Sequence, residues 1–208
     1  TLNISYLFTF GHDKVKEFTV RLNRKNLALV REREDAPPAW AALDSHRCDN
    51  CPLDAAKTRH CPVALNMAGI VSEFADFFSY ETVHVNVTTQ ERTYSKATTL
   101  QEGLSSLIGI IMVTSGCPVM EKLKPMVRFH LPFASIEETV FRMVSMYLVA
   151  QYFRKMEGRL ADWDLEGLKK IYDDVGRVNM SFAARLKDAA VNDANVNALV
   201  NLDVFAKM

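Results

Sequence analysis

No excess of charge of either sign is present: 25 Lys and Arg stand against 25 Asp and Glu in 208 residues. Broad engagement of a polyanion leans on a clear surplus of basic side chains, so no extended nucleic-acid surface is expected. Also missing is a run of about 18 apolar residues, the length that marks a membrane-spanning helix. The longest apolar stretch, Leu104–Val113, is interrupted by Ser105, Ser106 and Gly109. Thr1–Phe10 alternates polar with apolar and has no basic flank, so it does not read as a signal peptide. The sequons at Asn3, Asn86 and Asn179 then read as chance, and the cytoplasm is the expected compartment. Nor is there an internal repeat, a low-complexity tract, a phosphate loop, a Gly-x-Ser-x-Gly or a His-Glu-x-x-His.

What is there suits one core. A hydrophobic content of 49% over this length can bury one sizeable interior, so a single domain over 1–208 is expected. Ile4, Tyr6, Phe8 and Phe10 alternate with polar or smaller residues. Gly11-His12-Asp13-Lys14 turns the chain, and Phe18, Val20 and Leu22 alternate with Glu17, Thr19 and Arg21. That period of two predicts a β-hairpin within 1–35. A charged run, Arg31–Asp35, leads to a break at Ala36-Pro37-Pro38-Ala39. Polar residues dominate the cysteine segment over 44–61. Pro62 opens a helix expected to run to about Phe78. Strands follow near 83–96, with Val83, Val85 and Val87 on one face and His84 on the other.

The rest of 62–208 reads as mainly helical. Thr99-Leu-Gln-Glu102 and Ser135-Ile-Glu-Glu138 both fit the capping box. The helix after Ser135 is apolar almost all round and is expected at the centre. Asp164 is expected to cap a helix whose stripe is Leu165, Leu168, Ile171, Tyr172, Val175, Val178, Phe182 and Leu186. A last helix, Ala194–Ala206, is Asn-rich and suited to fraying or docking. The expected class is α+β: a small antiparallel sheet, made of the N-terminal hairpin and a second strand pair, packed on a bundle of four or more helices.

Four cysteines carry the chemical signal. Cys48 and Cys51 form a Cys-x-x-Cys pair, a spacing that presents two thiolates to one ion; Cys61 and Cys117 are single. Cys51, Cys61 and Cys117 each precede a proline. Proline favours the first helical position, which would place each cysteine at an N-cap. There the helix dipole stabilises a thiolate. Arg47, Lys57, Arg59, Lys122, Lys124 and Arg128 are near enough in sequence to offset the charge of a thiolate-bound centre. The bland alternative is four small buried hydrophobes. Disulfides suit a reducing compartment poorly.

Structural zinc usually shows two paired knuckles. The irregular spacing here, with its Cys-Pro run, points instead to an iron–sulfur cluster of the [4Fe–4S] type, with zinc as the alternative. In either case the four sulfurs are expected to converge, as ligands about 2.3 Å from one zinc or around one cluster. His60 adjoins Cys61 and is badly placed to ligate beside it. His46 could complete a Cys₃His site, but a solvated histidine is the plainer reading.

Weaker catalytic candidates lie in Arg128-Phe-His130-Leu-Pro132 and Tyr94-Ser95-Lys96. His130 would serve as acid or base and Arg128 would hold an anion; salt bridges and caps are the plain alternative. The methionines at 112, 120, 126, 143 and 146 read as core filler rather than copper ligands.

Together, Cys51-Pro-Leu-Asp, His60-Cys-Pro-Val-Ala, Thr93-Tyr-Ser-Lys96, Thr114-Ser-Gly-Cys-Pro118 and Arg128-Phe-His-Leu-Pro-Phe-Ala-Ser135 resemble an uncharacterised bacterial domain family of about this length. The resemblance spans the hairpin to the Asp164 helix. It implies a bacterial, cytosolic protein and brings no activity. Three functional expectations follow: a cluster that senses redox state or passes electrons to a redox or protein partner; a structural zinc domain acting as a partner-binding adaptor; or an enzyme with a polar pocket near the cysteines.

Overall fold

Strict alternation in the first twenty-two residues becomes an antiparallel hairpin of β1 (Leu2–Thr9) and β2 (Val15–Leu22), in register Ile4 with Val20 and Tyr6 with Phe18. The structure, a computed structural model, describes residues 1–11, 14–31, 36–189, 194 and 196–198. A second hairpin, β3 (Thr82–Thr88) and β4 (Thr93–Thr99), joins the first through β1. The strand order is β2-β1-β3-β4, all antiparallel.

One face of this sheet is apolar. Ile4, Tyr6, Phe8, Val83, Val85 and Val87 are all buried, each worth about 1.5–3 kcal/mol relative to exposure. The other face pairs short polar side chains, Ser5 with Thr19 at 3.0 Å and His84 with Ser95 at 2.8 Å.

Helices cover the apolar face. α1 (Pro62–Glu73) begins at Pro62 as its sequence predicts but stops five residues before Phe78. The chain bends there so that Phe74 and Phe77 both reach the sheet, Phe74 against Phe8 at 5.3 Å and Phe77 against Phe10 at 4.7 Å.

α2 (Leu100–Thr114) follows β4 without a loop, and eleven of its residues are buried. It lies so close to the sheet that a Cβ on Gly103 would stand 2.9 Å from Val85 Cγ2 and 3.0 Å from Phe8 Cε1. The capping box expected at Thr99 is not made. Its hydroxyl is buried without a partner, while the Thr98 hydroxyl donates to Glu102. Thr99 still belongs to β4, so its side chain points to the opposite face from Thr98.

A 3-10 helix, Met120–Phe129, carries Pro125 inside it. α3 (Ile136–Met156) then starts with the full capping box at Ser135 and Glu138. Only Met143, Tyr147 and Gln151 of α3 are buried, and Phe141, Val149, Tyr152, Phe153 and Met156 are exposed. The expectation of a central α3 is therefore wrong; α2 holds that place. Apolar composition on all sides does not say which helix the sheet will choose, and the small residues Gly103, Ser105 and Ser106 let α2 approach it.

α4 (Glu166–Ala189) keeps its predicted stripe, with Leu168, Tyr172, Val175, Val178, Phe182 and Leu186 buried. Its cap is Asp162 rather than Asp164. The Asp162 carboxylate accepts from Gly167 N at 2.7 Å and from the Tyr147 hydroxyl at 2.7 Å, because Leu165 takes a left-handed conformation (φ 64°) just before the helix. The charged run Arg31–Asp35, apart from Arg31, and most of Ala194–Ala206 lie outside the described residues. Among described residues, no helix is long and apolar enough to cross a membrane.

Candidate functional site

The cysteine segment is a loop tied at its neck. Leu43 N donates to Arg59 O and Cys61 N to Ala41 O, each at 2.9 Å. Within it Cys51 N donates to Cys48 O at 3.1 Å, closing the tight turn that Cys-x-x-Cys spacing allows. One face of α4 receives the loop. Asn50 donates to Asp174 O at 3.0 Å, His46 bonds Asp188 at 2.5 Å, and the Cys48 thiol is hydrogen-bonded to Ser181.

Gly116, at φ 92°, turns the chain after α2 and brings Cys117 back to the same place. Cys48, Cys51, Cys61 and Cys117 all line one small cavity, closed by Leu43, Val63, Val119, Val178 and Phe182. All four are free thiols and partly buried.

Only one of the three Cys-Pro pairs sits at a helix N-cap as expected. Cys61 caps α1 with Pro62 at the first position. Cys51-Pro52 lies in loop without regular structure, since the turn ends at Cys51 and no helix follows it. Cys117 precedes the 3-10 helix by three residues, and its sulfur accepts from the backbone N–H groups of Met120 and Val119.

These donors do not win. Burial pushes the Cys117 thiol up, and it pushes Cys48 up to about 11, with repulsion from Cys61, Cys117 and Cys51 adding. That mutual repulsion reflects four sulfurs sharing one low-dielectric space.

The cation nearest the cysteines is one that the sequence did not single out. Arg185 lines their cavity, is 2% exposed, and donates to the carbonyls of Trp40 and Ala42, both at 2.7 Å, and Leu43 at 3.3 Å. No carboxylate among the described residues pairs with it. The basic residues expected to balance charge stand elsewhere: Arg47, Lys57, Lys122 and Lys124 each face a carboxylate, and Arg59 and Arg128 are exposed. His46 reaches the cavity wall but is engaged by Asp188; His60 does not line it. Among the described residues, no three His, Cys, Asp or Glu side chains are grouped so as to hold a metal ion.

A second, larger cavity of about 450 Å³ adjoins the first. Val119 and Val178 face the cysteines, while their chain neighbours Met120 and Asn179 face the larger space. Two of the three catalytic candidates, Lys96 and His130, line it. Arg128 does not; it is exposed on the far side of the 3-10 helix, and Arg142 of α3 occupies the position expected of it. Ser95 points away, bonded to His84 on the outer sheet face.

His130 Nε2 bonds the Tyr6 hydroxyl at 2.7 Å and Ser106 Oγ at 3.3 Å. Burial, aided by the Arg142 charge, lowers its pKa to about 3, so it is a neutral imidazole at ordinary pH. Lys96 is paired with Glu102 at 3.6 Å. The methionines at 112, 120 and 126 line this cavity, and Met143 is buried.

The sequence matches the family described as a domain of unknown function (DUF6901) over residues 4–208. No curated protein and no solved structure matches the chain.

Proposed function

The chain belongs to that family, and we propose that the four cysteines of this member hold one metal centre, an iron–sulfur cluster of the [4Fe–4S] type with a redox or sensing role. The observation that carries the reading is Arg185. A buried guanidinium with no carboxylate partner among the described residues is costly, and a centre ligated by four thiolates carries net negative charge beside it. Residues far apart in sequence, 48 to 117, surround the same cavity, as a four-ligand set requires.

The choice between cluster and ion rests on spacing. Four sulfurs bound to one zinc stand roughly 3.8 Å from each other, given bonds of about 2.3 Å in a tetrahedron. Four sulfurs around a cluster, whose own atoms lie between the ligands, stand wider apart than that. The irregular Cys-Pro pattern agrees. Zinc is the second reading, favoured by the small volume of the cavity, about 20 Å³. A zinc centre would make the domain a structural adaptor for a protein partner. When bound, an iron–sulfur centre would supply one-electron chemistry; this chain's residues would hold it, shield it and balance its charge.

Anaerobic purification separates the readings. A brown protein absorbing broadly at roughly 400 nm fits the cluster. A colourless protein with stoichiometric zinc replaces it with the adaptor reading, and a colourless, metal-free protein overturns both.

A further inference from the structure

The larger cavity has a polar wall whose groups lack suitable partners. Arg142 uses one nitrogen, Nη2, to donate to the carbonyls of Met126 and Phe129, both at 3.0 Å. Among the described residues its Nε and Nη1 make no hydrogen bond and no carboxylate forms an ion pair with it. The Tyr172 hydroxyl, deeply buried, donates only to the thioether of Met126 at 3.7 Å. That is a weak acceptor. The Asn179 side chain, 3% exposed, makes no hydrogen bond at all, and its Oδ1 is buried. Buried polar groups are nearly always satisfied in native proteins, so the buried Tyr172 hydroxyl and the half-buried Arg142 guanidinium on one cavity wall call for a partner with acceptor oxygens, while Asn179 offers its Nδ2 to the same oxygens and its Oδ1 to a donor.

Charge narrows the class. His130 is neutral and hydrogen-bonded to Tyr6, and Lys96 already faces Glu102. Arg142 is therefore the one positive charge on the lining without an ion-pair partner among the described residues, its nearest compensation being the Glu138 carboxylate one turn earlier on α3. Most other lining residues are apolar, including Met112, Met120, Leu123, Val127 and Val175. A phosphate, doubly charged and needing more donors, suits such a wall poorly. The volume of about 450 Å³ lies in the range of small-molecule sites.

We propose that this cavity binds a small apolar monocarboxylate. Its carboxylate is held by Arg142 and Tyr172, with the Nδ2 of Asn179 as a further donor, and its hydrocarbon lies against the methionine and valine wall. Because Met120 and Asn179 adjoin residues that face the cysteines, the bound molecule would sit one side-chain layer from the metal site. The proposal does not depend on that site being filled.

Titration calorimetry of the intact protein with sodium decanoate, 1-decanol and decylamine tests it. Decanoate is expected to bind saturably, on the order of tenfold more tightly than 1-decanol, because a charge-assisted bond is lost with the carboxylate; decylamine is expected not to bind. Arg142→Gln should weaken decanoate by a similar factor and leave 1-decanol unchanged. Tyr172→Phe, which removes one hydroxyl without touching the loop carbonyls that Arg142 supports, should weaken decanoate several-fold and stands in if Arg142→Gln does not fold. No saturable decanoate binding, equal affinity for decanoate and 1-decanol, or unchanged decanoate affinity in the folded variants would overturn the proposal.

Discussion

Gly116 stands at the one point where the chain must reverse between the central helix and the last cysteine, and it does so at φ 92° with nothing within 4 Å of where a Cβ would be. Alanine there strains the backbone without a clash. Gly116→Ala should therefore destabilise the protein by about 1 kcal/mol or more, read as a lower midpoint in urea. Because Cys117 is the next residue, the metal content of the purified variant should fall with it. An unchanged midpoint would show that the turn has another way round.

Single polar residues were the hardest to place from sequence. The cysteines announced themselves by spacing and by their prolines. Arg185 and Arg142 did not, since one arginine on an amphipathic helix reads as a solvated side chain. Arg185 falls three residues after Phe182 and one before Leu186, on the buried stripe. That placement was the available signal. Asp162 took the role expected of Asp164, and the cap expected at Thr99 is not made, because backbone conformation at a helix start decides which side chain faces the free N–H groups.

Among the elements, the cysteine loop has the least intrinsic support. Apart from its neck, it is held by a few side-chain bonds to α4 and by contacts around the cysteine cavity. Ordering such a segment costs about 1–2 kcal/mol per residue in backbone entropy, which polar side chains recover poorly. A centre joining Cys61 and Cys48 to Cys117 would tie the loop to the α2 turn and couple binding to folding. Cys61→Ser and Cys117→Ser should each give low metal content and a markedly lower melting temperature. Melting within a degree or two of the parent, roughly 0.5 kcal/mol or less, would mean that the cysteines do not hold the structure together.

Periodicity predicted the strands well, since one buried face forces an alternation that no helix satisfies. The helix after Ser135 shows the limit of that signal. Its cap was legible to the residue, but its place in the molecule depended on which helix could approach the sheet most closely.

For the whole molecule, the packing of sheet on helices passes through His130. Its ring bonds Tyr6 of β1 and Ser106 of α2, so protonating it places a charge inside the central layer. The unfolded chain's histidine titrates at its ordinary 6.5 and the folded one at about 3. Between those values the unfolded state binds more protons, so stability, fully present above 6.5, falls as pH falls, by up to about 1.4 kcal/mol per unit. His130→Gln should flatten the pH dependence of the urea midpoint over that window relative to the parent. Parallel curves would remove His130 from the account.

The four cysteines, spread over seventy residues, line one cavity; the closer convergence about one centre that their spacing leads one to expect belongs to the proposal. What fills the cavity is chemistry that spacing leaves open between cluster and ion. Iron, acid-labile sulfide and zinc per chain, measured on anaerobically purified parent and on each of the four single Cys→Ser variants, decide it. The account predicts about four iron and four sulfide per parent chain, a sharp loss in every variant, and no zinc. A parent with neither iron nor sulfide, or a Cys117→Ser chain as fully loaded as the parent, would contradict it.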